Sequence, residues 1–160
     1  NAAGVDGISG ATVSSNAVMN AEDEALQHLI EGIKDGTIDM IATDHAPHSA
    51  EEKGKGLAGS MMGVVGIETA FPLLYTHLVL KDVITLERLI ELMAVNPRKR
   101  FGISGGTDEG ESADFTVVDL DAEYTIDSKD FYSMGKATPF EGYRVKGKII
   151  HTFLKGEKIF

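Results

Sequence analysis
The chain has 160 residues, a formal net charge of -10 and no cysteine. The acidic balance repels phosphate backbones and argues against a nucleic-acid partner, and the lack of Cys excludes disulfides and thiolate metal sites and fits a reducing cytosol. No apolar run approaches the ~20 residues of a bilayer span. The N-terminus lacks the basic-then-apolar pattern of a signal peptide. The 42% apolar content is that of a globular domain. The chain begins at Asn1 rather than Met, so we expect a piece of a longer protein.

Residues 1–17 are rich in Gly, Ala and Ser and read as a flexible arm or loop. Leu26, Leu29, Ile30 and Ile33 then recur at helical spacing and predict an amphipathic helix over 22–35. Glu22, Asp23 and Glu24 suit its N-terminal dipole, and Gly36 is its stop. Thr37–Thr43 reads as a short buried strand. Glu51–Gly59 is charged and Gly-rich, and is expected to be mobile.

A second helix is expected over 67–80, burying Ile67, Ala70, Phe71, Leu74, Tyr75 and Leu78, with a kink at Pro72 unless the helix starts later. A third starts at the Thr85 cap, carries a stripe of Leu86, Leu89, Ile90 and Met93, and ends at Asn96-Pro97. From Gly102 to Asp114 Gly, Ser and acidic residues mark a boundary. Short β runs follow at 115–120, 143–145, 148–154 and 158–160, with a tight turn at Lys155-Gly156. The division expected is an arm over 1–21, an α/β portion over 22–101 and a β unit over 102–160.

The chemistry concentrates in Ile41-Ala42-Thr43-Asp44-His45-Ala46-Pro47-His48-Ser49. A carboxylate at a strand end can ligate a divalent metal, act as a general base, or serve as an Asx-turn residue. His45 and His48 add imidazoles suited to zinc or to anionic substrates. Asp44, His45 and His48 alone, with no His-x-His pair, make a weak metal site. His28 and His77 fall in helices and His151 in a strand, where structural or solvent-facing roles are expected.

The stretch Gly36 to Lys53, containing Thr-Asp-His-Ala-Pro-His, resembles the last barrel strand of bacterial dihydroorotases. The likeness continues through Gly63-Val64-Val65-Gly66-Ile67-Glu68-Thr69-Ala70-Phe71-Pro72, Asn96-Pro97 and Thr138-Pro139-Phe140-Glu141-Gly142. It covers about residues 24–160. It implies an α/β fold: the C-terminal fragment of a (β/α)8 amidohydrolase barrel with part of a small β-sandwich. It also implies zinc-dependent, reversible conversion of dihydroorotate to carbamoyl-aspartate in pyrimidine biosynthesis.

By this resemblance Asp44 is a metal ligand and the proton-transferring residue, and His48 holds the substrate carboxylate. Met62-Gly63 stands where the family has Phe-Gly against the pyrimidine ring, and His45 is not a ligand. The family's His-x-His-x-Arg, its bridging acid and its two mid-barrel histidines have no counterpart here. Asn20 is given no role, because its spacing to Asp44 is too short. The expected cofactor is zinc at a site incomplete in this chain, and the isolated chain is expected to be inactive. The expected partners are a small-molecule substrate, no nucleic acid, no membrane, and self-association through open barrel edges. A cytoplasmic location is expected.

Asp6-Gly7-Ile8-Ser9-Gly10-Ala11-Thr12 resembles a second motif, the flavin-attachment end of FMN-binding domains in the Rnf and Nqr electron-transfer complexes. That likeness implies FMN on the Thr12 hydroxyl. The rest of such a domain is absent, so no FMN is expected on this chain. Alternatives to the hydrolase reading are a flavin-carrying redox segment and a non-catalytic folded remnant.

Overall fold
The computed structural model describes the backbone of residues 12–160 and the side chains from Glu24 onward. Residues up to Asp39 belong to one compact unit and Met40–Phe160 to a second.

In the first unit, helix α1 runs over Thr12–Asp35, ten residues upstream of the predicted start. All three glycines of the supposed arm (Gly4, Gly7, Gly10) precede Thr12, and residues 12–21 contain neither Gly nor Pro, so nothing in them interrupts helical propagation. The acids at 22–24 therefore lie inside the helix and leave its first turn without acidic residues. Gly36 ends it with φ 90°, a left-handed conformation that costs glycine little. The Asp35 carboxylate accepts the Thr37 N–H at 2.8 Å. Leu26 and Leu29 are exposed. Asp6 to Ala11, and the side chain of Thr12, lie outside the described residues, so the flavin motif has no structural counterpart to compare.

The second unit departs from expectation at its start. No strand forms over 37–43. Pairing is limited to one parallel bridge, His45 to Val64. Around it the Ile41 N–H donates to the Leu92 carbonyl at 3.0 Å, Ala46 N–H to Val64 at 3.0 Å, and Val65 N–H to Ala137 at 2.9 Å. The apolar run has a strand's composition, but a strand also needs a neighbour to complete its ladder.

Residues 51–59, expected to be mobile, form two single-turn helices, α2 (Ala50–Lys53) and α3 (Gly56–Gly59). A reciprocal capping box between Ser49 and Glu52 starts α2. Helix α4 (Ala70–Leu74) continues as a π-helical turn over Tyr75–Val79. Pro72 is the third residue of α4, where its missing N–H has no helical partner to lose. The expected kink is therefore absent because the helix starts late. Ile67, placed on the buried face by periodicity, precedes the helix and is 62% exposed.

The Thr85 hydroxyl caps α5 (Leu86–Ile90) by accepting the Arg88 N–H at 3.2 Å. The helical path then runs through a π turn, Glu91–Val95, into α6, Asn96–Phe101. Asn96-Pro97 is therefore no stop: Pro97 falls in the first turn of a fresh α segment, the position that tolerates it. The real stop is Gly102, at φ 65°. The five-residue spacing of the π turns also shifts the buried stripe. Leu89 and Leu92 are fully buried, while Ile90 is exposed.

The C-terminal part is one antiparallel sheet of order β1-β2-β3, with β1 Phe115–Thr125, β2 Arg144–Leu154 and β3 Glu157–Lys158. The two expected runs 143–145 and 148–154 are one strand. Lys155 and Gly156, both at positive φ (51° and 80°), make the predicted two-residue hairpin turn, whose twist matches that of the strands. Among the described residues there is no second sheet, so the expected β-sandwich is not seen.

Helix and sheet meet where Leu73, Ile126 and Val145 form a core flanked by Tyr124, Phe131 and Phe140. The Thr76 hydroxyl accepts the Lys146 N–H at 2.9 Å. A cleft of about 1220 Å³ remains open beside this contact, lined by apolar side chains that include Ile67, Phe71, Met93, Ile103 and Phe153.

Gly147 sits at the helix–sheet contact with φ 91°, and a Cβ there would lie 3.0 Å from ring atoms of both Phe71 and Tyr75. Gly147→Val is expected to lower stability by about 1–3 kcal/mol through overpacking and backbone strain. Urea denaturation checks this: the midpoint should fall with little change in slope.

Candidate active site
The site grows from the loop that follows Thr43. Asp44 adopts φ 47°, a left-handed conformation that Asp tolerates better than most residues. Its side chain is exposed. His45 turns the other way. Its Nδ1 accepts the N–H groups of Gly66 at 3.1 Å and Ile67 at 3.2 Å. Backbone N–H groups only donate, so Nδ1 carries no proton and the neutral ring holds its proton on Nε2. That nitrogen faces the Ser133 hydroxyl at 3.5 Å.

Ser133 is held by Glu68. Its hydroxyl donates to Glu68 Oε1 at 2.6 Å and its N–H to the same oxygen at 3.0 Å, while the Tyr132 N–H donates to Oε2 at 2.7 Å. Burial alone would push the Glu68 carboxyl up. The hydrogen bonds from Ser133 and Tyr132, with Lys136 nearby, more than offset this and hold it below its ordinary value.

His48 is half-buried, with Nδ1 3.7 Å from Glu52 Oε2. The Ser49 backbone and hydroxyl, and then the His48 imidazole, hold the exposed Glu52 carboxyl below its ordinary value. Two glycines close on this loop from different segments. A Cβ on Gly63 would lie 2.6 Å from Ala46 Cβ and 3.4 Å from His48 Cδ2, and one on Gly135 would lie 2.5 Å from the His48 carbonyl oxygen. Lys53 Nζ donates to the carbonyls of Met61 at 3.0 Å and Gly63 at 2.9 Å, fixing the backbone of the 61–63 segment. Met62 itself is 85% exposed.

Of the residues singled out in the sequence, then, His48 and Gly63 come together, Met62 is exposed next to Gly63, and Asp44 is exposed in the same loop as His48. The sequence reading missed Lys53, Glu68 and Ser133. It set His45 aside as a ligand without finding its tethering role. The Ser49-x-x-Glu52 cap was legible and overlooked. Glu68 and Ser133 had no local signal, because they are 65 residues apart. Of the remaining imidazoles, His28 lies on an exposed helix face near Glu24 and Glu31, and His77 is exposed as well.

Among the described residues no three His, Cys, Asp or Glu side chains are placed to hold a metal ion. Asp44 offers one exposed carboxylate, and a closed zinc site takes three or four donors. The donor set present here does not fit zinc by itself. No helix among the described residues is long and apolar enough to cross a membrane.

Residues 10–159 match the amidohydrolase family, and the chain belongs to it. That membership and the similar solved structures below imply a partial (β/α)8 amidohydrolase fold, and the chain itself shows mixed helix and sheet. The chain is 51% identical over 138 residues to a dihydroorotase of Geobacillus sp. (strain WCH70), covering 86% of this chain and 32% of the relative. It is 53% identical over 137 residues to a dihydroorotase of Bacillus cereus (strain B4264), covering 85% and 32%. Among solved structures it is similar to the L-hydantoinase (dihydropyrimidinase) from Arthrobacter aurescens, at 35% identity and TM-score 0.73, covering 82% of this chain and 30% of that one. It is also similar to the dihydropyrimidinase from Brevibacillus agri NCHU1002, at 25% identity and TM-score 0.76, with the same coverage. The chain thus spans about a third of the length of the curated relatives it matches. The matched region takes in Thr12, and these matches lend the flavin-attachment resemblance no support.

Because Glu68 has a lowered pKa in the fold, its stabilising contribution is fully present above the unfolded value of 4.5 and is lost as pH falls through the folded value. Glu68→Gln should therefore flatten the acid limb of the stability profile while costing stability at neutral pH. Thermal unfolding followed from pH 7 into the acid range below 4.5 would show whether the two curves converge at the acid end.

Proposed function
We propose that this chain is the C-terminal portion of a dihydroorotase of pyrimidine biosynthesis. In this reading residues 22–101 complete a (β/α)8 barrel, and 102–160 supply one layer of a β-sandwich. The observation that carries it is the identity of about half the residues to dihydroorotases over nearly the whole described chain. The packing of Gly63 on the His48 loop supports it, because it brings together two of the candidate substrate-binding residues.

The reaction is hydrolysis of a cyclic amide. Water's oxygen bonds to the ring carbonyl carbon, the ring C–N bond breaks, and the nitrogen takes a proton. Asp44, exposed at the loop tip, is the group we assign to proton transfer. His48 is assigned to the substrate carboxylate, with the Met62-Gly63 backbone beside the ring. Zinc belongs to the complete enzyme in this reading, since this donor set cannot hold it alone. The open apolar cleft fits a body that packs against more polypeptide, and in the isolated chain it favours association.

The test places this chain in the Geobacillus relative, replacing its matching 138 residues, and follows dihydroorotate hydrolysis. The chimera should turn over. Asp44→Ala should lower kcat by about 100-fold or more, as expected for loss of a general acid–base group. His48→Ala should raise KM by about tenfold, the worth of one charge-assisted hydrogen bond. An inert chimera that binds zinc and folds like its parent would sink the proposal. For the isolated 160-residue chain, light scattering should report oligomers and the dihydroorotate assay no turnover. A monodisperse monomer with a sharp thermal transition would count against the fragment reading.

A further inference from the structure
We infer that His45 and Glu68 are positioning residues that jointly hold the Asp44–His48 loop against the turn before α4 and against the 132–135 segment. The inference rests on reading that loop as the site, and it concerns two residues to which the family resemblance assigns no role.

The loop has little regular backbone support: one bridge, His45 to Val64, which includes the hydrogen bond from the Ala46 N–H to the Val64 carbonyl. Its placement therefore depends on side chains. The His45 Nδ1 lone pair takes two consecutive backbone amides, Gly66 and Ile67. The approach is possible because residue 66 has no Cβ, which would stand 2.6 Å from the Thr43 carbonyl oxygen. On the other face of the ring, Nε2–H points to the Ser133 hydroxyl, whose own proton goes to Glu68 Oε1.

Glu68 sits one residue beyond those two amides, so the circuit closes on itself. Three segments distant in sequence are joined through one imidazole and one carboxylate. The effect reaches His48 through Gly135, two residues after Ser133, which packs on the His48 backbone. Glu68 accepts three hydrogen bonds with its two oxygens, which fills most of the roughly four acceptor sites of a carboxylate, and His45 spends Nδ1 on the backbone. Both therefore act through Asp44 and His48 rather than on the reacting atoms.

The arrangement makes the two ring nitrogens unequal, and that can be tested. Asn at position 45 places an amide oxygen where Nδ1 lies; Gln places its polar atoms nearer Nε2. In the 160-residue chain, two-bond ¹H–¹⁵N correlation should show the wild-type His45 proton on Nε2. Hydrogen exchange should show Gly66 and Ile67 protected in wild type and in His45→Asn. In His45→Gln their protection should fall about tenfold, the worth of one to two backbone hydrogen bonds. The Ala46 and His48 amide resonances should move in His45→Gln and Glu68→Ala, while those of β1 and β2 stay in place.

In the chimera, His45→Gln and Glu68→Ala should lower kcat and raise KM, because Asp44 and His48 are displaced together, whereas His45→Asn should keep both near their wild-type values. A proton on Nδ1 of wild-type His45, equal protection in the Asn and Gln variants, or equal kcat in both would overturn the inference. The tautomer and exchange readings need no turnover, so a chimera inert with its natural residues would refute the dihydroorotase reading and leave this inference to be judged on the isolated chain.

Discussion

The placement of the Asp44–His48 loop depends on how closely it can approach the Val64–Gly66 segment. Gly66 leaves room for the Thr43 backbone where any side chain would collide, and at that separation the His45 ring reaches two backbone amides at once. A sheet ladder would ordinarily hold such a segment through many weak bonds in register. Here one bridge and a few side-chain bonds do so. Each is worth on the order of 1 kcal/mol net, but leaving a part-buried partner unsatisfied costs more. A loop held this way keeps Asp44 exposed and His48 half-buried without a continuous strand beneath them.

The second constraint is the packing of one helical layer on one three-stranded sheet. Leu73 and Val145 meet across it, and Gly147 lets the strand lie against Phe71 and Tyr75. Burial of a side chain such as Leu89 or Leu92 contributes about 1.5–3 kcal/mol. Yet many large apolar residues of the second unit stay exposed, among them Phe101 and Ile103, and the adjoining cleft is lined largely by apolar atoms. Such uncovered apolar surface is where further polypeptide could pack. This agrees with a chain spanning about a third of its relatives.

Electrostatics orders the site without burying much charge. Glu52 and Glu68 are both held below their ordinary pKa, but by different balances: Glu52 by its own helix cap, Glu68 by partners 64 and 65 residues away that overcome its desolvation. The first is a local device that folds α2. The second closes a tertiary contact, so it responds to anything that moves the 132–135 segment.

What the sequence determined by itself follows from short-range chemistry. The Thr85 cap, the glycine stop at Gly36 and the Lys155-Gly156 hairpin turn each depend on a few adjacent residues, and all were readable. So were the Asp44–His48 motif and the family it resembles, because a dense run of functional residue types survives without knowledge of neighbours. Only the tertiary structure decided the rest. Residues 37–43 have a strand's composition but not its partners. Asn96-Pro97 reads as a stop, yet it starts a new α segment after a π turn. The pairing of His45 with Gly66 and Ile67, and of Glu68 with Ser133, joins residues 21 to 65 positions apart. Periodicity and propensity describe what one segment prefers. They carry no information on which distant donor will meet which acceptor, and those meetings hold the loop that carries Asp44 and His48.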